Sequence, residues 1–129
     1  ALLTLKQLNI VGLKMGLDAI KRRVYRWINE NVERDVNEVY ETFVEFIKII
    51  APMIDDKFKR VDRWNIETLD EIVDRLCDYL YGSSIAIDLW DEIWDAKIDK
   101  KTISKEKIKA FSKIINEVER RTVNKHTNN

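Results

Sequence analysis

Between residues 13 and 27 the apolar side chains Leu13, Leu17, Ile20, Val24 and Trp27 recur at alternating steps of four and three, the repeat of a helix with one buried seam. A first helix is therefore expected near residues 3–31. Asn29 to Asn37 is polar apart from Val32 and Val36, and Asp35 followed by Glu38 has the form of a capping box, which predicts a break between residues 31 and 35. The stripe resumes through Val36, Val39 or Tyr40, Phe43, Ile47 and Ile50. Pro52 disfavours a helical residue at Ala51, so the second helix is expected to stop near Ile50. Pro52 would then start a short third helix ending near Trp64, because its fixed φ suits a first helical position.

Asn65 or Thr68 can cap the next helix, where Thr68 and Glu71 form a second capping box ahead of Leu69, Ile72, Val73, Leu76 and Leu80. Gly82 closes it. Ser83 or Ser84 opens another helix through Ile85, Leu89 and Ile93, followed by a charged turn from Asp99 to Thr102. Ser104 caps the last, whose stripe of Ile108, Phe111, Ile115 and Val118 fades after Arg121. No window shows strand alternation. The pattern predicts an all-α, single-domain helical bundle of four main helices, near residues 3–31, 35–50, 67–81 and 104–122, with one or two short bridging helices. The domain is expected over residues 1–123, with a flexible polar tail at 124–129. Which helix packs beside which is not legible at this level.

Composition agrees with that pattern. A chain of 129 residues makes one ordinary domain and buries roughly two-thirds of its unfolded surface. Hydrophobic residues make up 45 % and charged residues 36 %, with three Gly and one Pro, a balance that favours long helices. Cys77 has no second cysteine to bond with, and its neighbours Leu76 and Leu80 make it a buried small hydrophobe of a reducing compartment. No apolar run is long enough for a membrane span, and no basic segment precedes the apolar N-terminus as in a signal peptide. An intracellular location, or a virion if the protein is viral, is expected.

The zero net charge conceals segregation. Residues 1–27 carry six basic and one acidic side chain, residues 28–56 two and eight, and residues 57–75 five and five. Residues 76–99 carry one and six, and residues 100–129 nine and three. Both ends are basic and the middle is acidic, which suggests contacts between opposite patches within or between subunits.

Asp88, Asp91, Glu92, Asp95 and Asp99 recur at helical spacing, but a carboxylate-bridged metal bundle needs Glu-x-x-His pairs, and the one histidine, His126, lies in the expected tail. The calcium-loop pattern is missing too. A solvated face, or a dock for a basic partner, is the better reading. The helix-turn-helix form of residues 68–95 fails on charge, since a recognition helix so acidic is repelled by phosphates. Lys21, Arg22, Arg23 and Arg26, interleaved with Tyr25 and Trp27, form the better nucleic-acid candidate, and the C-terminal Lys100, Lys101, Lys105, Lys107, Lys109, Lys113, Arg120 and Arg121 add a second basic surface. The competing reading pairs these cations with the acidic middle segment.

Gly12 and Gly16, four apart on the first helix, allow a close helix contact, and Leu5 and Leu8 belong to an N-terminus more apolar than solvent exposure requires. These four, with Trp90 and Trp94 on one helix face, are the candidate subunit interface. No Walker loop, dinucleotide fingerprint, nucleophile elbow or zinc spacing occurs, so no enzyme activity, cofactor, metal or small-molecule substrate is expected.

Richness in Ile and Trp, abundant ionic residues and the stretch Lys21-Arg22-Arg23 near an apolar N-terminus give the chain a general character that resembles the small all-helical proteins of crenarchaeal viruses, including helical-bundle coat subunits. The resemblance implies a self-associating virion structural subunit that lies near packaged DNA. An ion-rich surface is compatible with growth at high temperature. A homo-oligomeric structural or assembly protein is thus the first expectation. A nucleic-acid-binding accessory protein and a protein–protein adaptor using Trp90 and Trp94 are the alternatives.

Overall fold

The computed structural model describes residues 4–124, with side chains described outside 5–10 and 123–124. Five α-helices follow one another: α1 (Leu5–Glu30), α2 (Val36–Ile54), α3 (Ile66–Tyr79), α4 (Ile85–Asp95) and α5 (Lys105–Glu119). The long helices read from the stripes are α1, α2, α3 and α5, and the shorter α4 joins α3 to α5. Each helix packs against the next, and α5 returns to pack along α1, so the helices close a ring around one core. In such a ring α1 lies across from the α3–α4 edge.

Helix ends follow local chemistry. Asn31, at φ 55°, terminates α1 in the left-handed conformation that Asn tolerates. Asp35 caps α2 by accepting from the Asn37 N–H at 2.8 Å. Asn65, rather than Thr68, caps α3, accepting from the Thr68 N–H at 2.9 Å. Ser104 caps α5 through the Lys107 N–H at 3.3 Å. Gly82, at φ 77°, closes α3 and donates its N–H to the Cys77 carbonyl at 2.8 Å.

Two elements differ from the sequence expectation. Helix α2 does not stop at Ile50 but runs through Pro52 to Ile54, and no α-helix begins at Pro52; a 3-10 turn over Asp56–Arg60 stands where the short third helix was expected. Proline here removes one N–H near the helix end, while fully buried Ala51 and half-buried Met53 and Ile54 keep the apolar stripe packed. Packing outweighs one hydrogen bond. Second, Arg34–Asp35 (β1) pairs antiparallel with Thr102–Ile103 (β2), in register Arg34↔Ile103 and Asp35↔Thr102. Two residues per strand are too few to show alternation. The pair ties the α1–α2 turn to the α4–α5 turn, and Arg34 reinforces it by pairing with Glu30 and Glu38 while lying 5.8 Å from the Trp27 ring centroid.

The core is centred on aromatic rings from three helices. Phe43 and Phe46 of α2 meet Phe111 of α5 edge-on at 5.3 and 5.7 Å, and Trp90 of α4 stacks on Phe43 at 5.4 Å. Such pairs each contribute about 0.5–1.5 kcal/mol beyond their buried area. Leu17, Ile20, Val24 and Trp27, the stripe that defined α1, are all buried beneath it. Of the expected tail at 124–129, Asn124 ends a π-helical turn over Arg120–Asn124 that continues α5, and residues 125–129 lie outside the described residues.

Candidate functional site

The α3–α4 pair carries nine acidic side chains and one basic, Arg75. Their spacing explains the face they form: Leu69, Ile72, Val73 and Leu76 turn one side of α3 into the core, which leaves Asp70, Asp74 and Asp78 on the outer side, each a turn apart. On α4, burial of Ala86, Leu89, Trp90 and Ile93 likewise turns Asp88, Asp91 and Asp95 outward. Little of this charge is neutralised internally. Among the described residues Glu71 pairs with Lys57, Asp70 accepts the Trp90 indole N–H at 2.6 Å, and Asp88 accepts the Ser84 hydroxyl at 3.1 Å. Asp74, Asp78, Asp91 and Asp95 have no ion-pair partner among the described residues. Between the two acidic rows lies the half-buried Cys77. Burial pushes its thiol above the ordinary value, and Asp74, Asp78 and Asp88 act in the same direction, against a hydrogen bond from the Ile87 backbone.

The basic face belongs to α1 and α5. Lys21 bonds Glu119 of α5 at 3.0 Å, and Tyr25 and Asn116 bond each other, their atoms 2.8 Å apart, so the seam between the helices is held by polar contacts. The Glu119 hydrogen bond raises the Lys21 ammonium above its ordinary value in spite of burial. Arg23 turns to the other flank, where it bonds Glu45 at 2.8 Å and Thr42 at 3.0 Å on α2. Arg26 sits 3.8 Å from Glu30, one turn along its own helix. Arg22 of α1 and Lys109 and Lys113 of α5 are exposed and have no ion-pair partner among the described residues. The four candidate cations therefore divide. Arg23 pairs with the acidic middle segment, Lys21 holds α5, and Arg22 and Arg26 face outward.

The candidate interface residues also separate. Gly16 faces α2, where an added Cβ would lie 3.0 Å from Ile49 Cδ1, so its smallness serves a contact within the chain. At Gly12 an added Cβ would meet nothing within 4 Å. It lies beside Val11 and Met15, 45 % and 67 % exposed, which form an apolar patch on α1. Leu5 and Leu8 are on α1, but their side chains lie outside the described residues. Trp90 is not a surface residue: it is 4 % exposed, stacked on Phe43 and Tyr40 and hydrogen-bonded to Asp70. Burial between α2 and α3 satisfies both its ring and its N–H. Trp94 is half-buried, edge-on to Trp90 and Tyr40. The α3 row Asp70, Asp74 and Asp78 is absent from the sequence expectation, though its i, i+4, i+8 spacing is plain in the chain. Arg121, one of the expected C-terminal basic residues, instead lies with its guanidinium 4.9 Å from the Tyr79 ring and 3.9 Å from that of Tyr81, a contact that residue order does not show.

Concave surface is shallow. An open groove of about 470 Å³ runs between the 3-10 turn and α3, lined by Lys57, Phe58, Asp62, Arg63 and Glu71, where the charges balance. Among the described residues no three His, Cys, Asp or Glu side chains converge as a metal site, and no helix is long and apolar enough to cross a membrane. The fold is thus an all-α ring with one acidic edge and one basic side. Compared with known proteins, the chain matches no protein-family model, no curated protein and no solved structure.

Proposed function

We propose that the protein is a non-enzymatic structural or assembly subunit that self-associates, its surface charges being complementary between copies. What supports this reading is the unneutralised acidic edge: Asp74, Asp78, Asp91 and Asp95 face away from the core without ionic partners among the described residues, while Arg22, Lys109 and Lys113 do the same on the basic side. Opposite patches left unpaired within one chain attract a second copy, and they do so most strongly at low salt. The apolar patch at Val11 and Met15 adds buried area that charge alone does not supply. A virion subunit is one instance of this class, and it rests on the general resemblance to crenarchaeal viral proteins. Light scattering across a concentration series at low salt tests the reading. Apparent mass should rise with concentration and fall back when salt is added, and a strict monomer throughout overturns it.

A second reading has its own observation. Arg22, Arg26, Lys109 and Lys113 flank the α1–α5 seam with Tyr25, 37 % exposed, between them, which is a basic strip suited to nucleic-acid backbone. Binding to duplex DNA should then weaken steeply with salt. The combined variant Arg22→Ala/Arg26→Ala/Lys113→Ala should lose it, and unchanged affinity removes the reading.

A further inference from the structure

We infer that subunits join head to tail, the α1–α5 face of one copy docking on the α3–α4 face of the next, so that assembly is not closed by a two-fold axis. The inference rests on the self-association reading and adds its symmetry.

In a two-fold contact each patch meets its own copy. The α3–α4 edge against itself would oppose Asp70, Asp74, Asp78, Asp88, Asp91 and Asp95 to the same six, with one Arg75 on each side. The α1–α5 side against itself would oppose Arg22, Lys109 and Lys113 to the same three. Like charges so placed disfavour the contact. A two-fold dimer can still match opposite patches when both lie on one side of the molecule. Here α5 packs beside α4, so a two-fold contact at that edge could set Lys109 and Lys113 against the acidic row of α4, but α1 sits across from the α3–α4 edge and its Arg22 and apolar patch would stay uncovered. A heterologous contact satisfies both faces at once. It also buries apolar area: Val11 and Met15 lie on the same outward side of α1 as Arg22, and half-buried Cys77 and Ile87, joined through the Ile87 backbone, lie between the acidic rows of α3 and α4. Each face thus carries apolar area beside its charges, the two components of a protein interface. Repetition of this contact gives a ring if the rotation closes and a filament if it does not.

The test uses the whole chain in three forms. The first reversal is Arg22→Glu/Lys109→Glu/Lys113→Glu and the second is Asp74→Lys/Asp78→Lys/Asp91→Lys, all at exposed positions. Sedimentation velocity at low salt should show wild type growing past the dimer, and each reversed variant alone remaining a monomer. An equimolar mixture of the two should recover large species, since one then has two acidic faces and the other two basic faces. A small amount of either variant added to wild type should cap growth and lower the mean mass. Wild type that stops at a dimer, or a mixture that stays monomeric, overturns the head-to-tail contact while self-association stands. Wild type that never associates overturns both. Circular dichroism checks that each variant is folded. Should a reversed form lose its helical signal, Arg22→Gln/Lys109→Gln/Lys113→Gln and Asp74→Asn/Asp78→Asn/Asp91→Asn replace it. The concentration for half-assembly should then rise at least about tenfold, and an unchanged value overturns the proposal.

Discussion

Gly12 and Gly16 stand one turn apart on the same helix, yet alanine at the two positions should have different effects. Replacing glycine by alanine inside a helix stabilises by about 0.5–1 kcal/mol through lost freedom of the unfolded chain. At Gly12 the new methyl meets nothing within 4 Å, so the full gain is expected, a rise in Tm of roughly 2–5 °C. At Gly16 the methyl would stand 3.0 Å from Ile49 Cδ1 and 3.5 Å from its Cγ1 and Cγ2, closer than comfortable carbon contact at the first atom. Ile49 must give way by a few tenths of an ångström, and pushing its side chain off the staggered angle costs about 0.5–1.5 kcal/mol, which cancels the helical gain. Gly16→Ala should therefore be near neutral and about 1 kcal/mol less stable than Gly12→Ala. Gly16→Val, with two more methyls against the same side chain, should lose about 1–3 kcal/mol. Urea unfolding followed by far-UV circular dichroism measures all three. Equal stabilisation by both alanines would refute the close approach of α1 and α2 at Gly16. The Gly12→Ala protein carries a second reading in the light-scattering assay, since weaker association would place a partner helix directly over Gly12.

Three further outcomes follow from the packing. Phe111→Ala removes a fully buried ring that touches Phe43 and Phe46, and should cost about 3–5 kcal/mol in urea unfolding; a loss under about 1 kcal/mol would contradict a closed aromatic core. Asp70→Ala leaves the Trp90 indole N–H without its acceptor and should destabilise by about 1–2 kcal/mol, whereas an ordinary exposed aspartate would change little. Cys77 should react with iodoacetamide along a pH profile displaced above the free-thiol value of about 8.5, because burial and the surrounding carboxylates disfavour the thiolate. The sign for stability is the same: the unfolded thiol ionises first, so stability falls as pH rises past that value and stops falling once the folded thiol also ionises. A midpoint at or below 8.5 would show that Cys77 is not held in the protein's interior flank.

Much of the core was legible. Leu17, Ile20, Val24, Phe43, Ile47, Ile50, Leu76 and Phe111 were read as stripe positions and are buried, because a helical repeat of apolar residues has one stable use in a chain of this size. The ends at Asn31, Asp35, Gly82 and Ser104 were also legible, since capping depends on neighbours in sequence. The exception at Pro52 is instructive. A local rule placed a helix boundary there, and contacts made by Ala51, Met53 and Ile54 with the rest of the core overrode it. The candidate site was less readable. Charge segregation was visible as blocks, but Arg23 and Arg22 are adjacent arginines, and nothing in their order says that one meets Glu45 while the other faces water.

Apart from the stretch around Pro52, the amino-acid order alone determined where the α-helices fall, the caps at Asp35 and Ser104, the buried seam of each helix and the blocks of charge, all of which depend on residues within a few turns. The tertiary structure decided the partners: Phe111 against Phe43, Trp90 between Tyr40 and Asp70, Gly16 under Ile49, and α1 across the ring from α3 and α4. A stripe states that one face must leave water, and burial is non-directional, so it does not name what covers that face. Ring order, set by turns such as the β1–β2 pair and by which side chains interlock, converts linear blocks of charge into an acidic edge and a basic side.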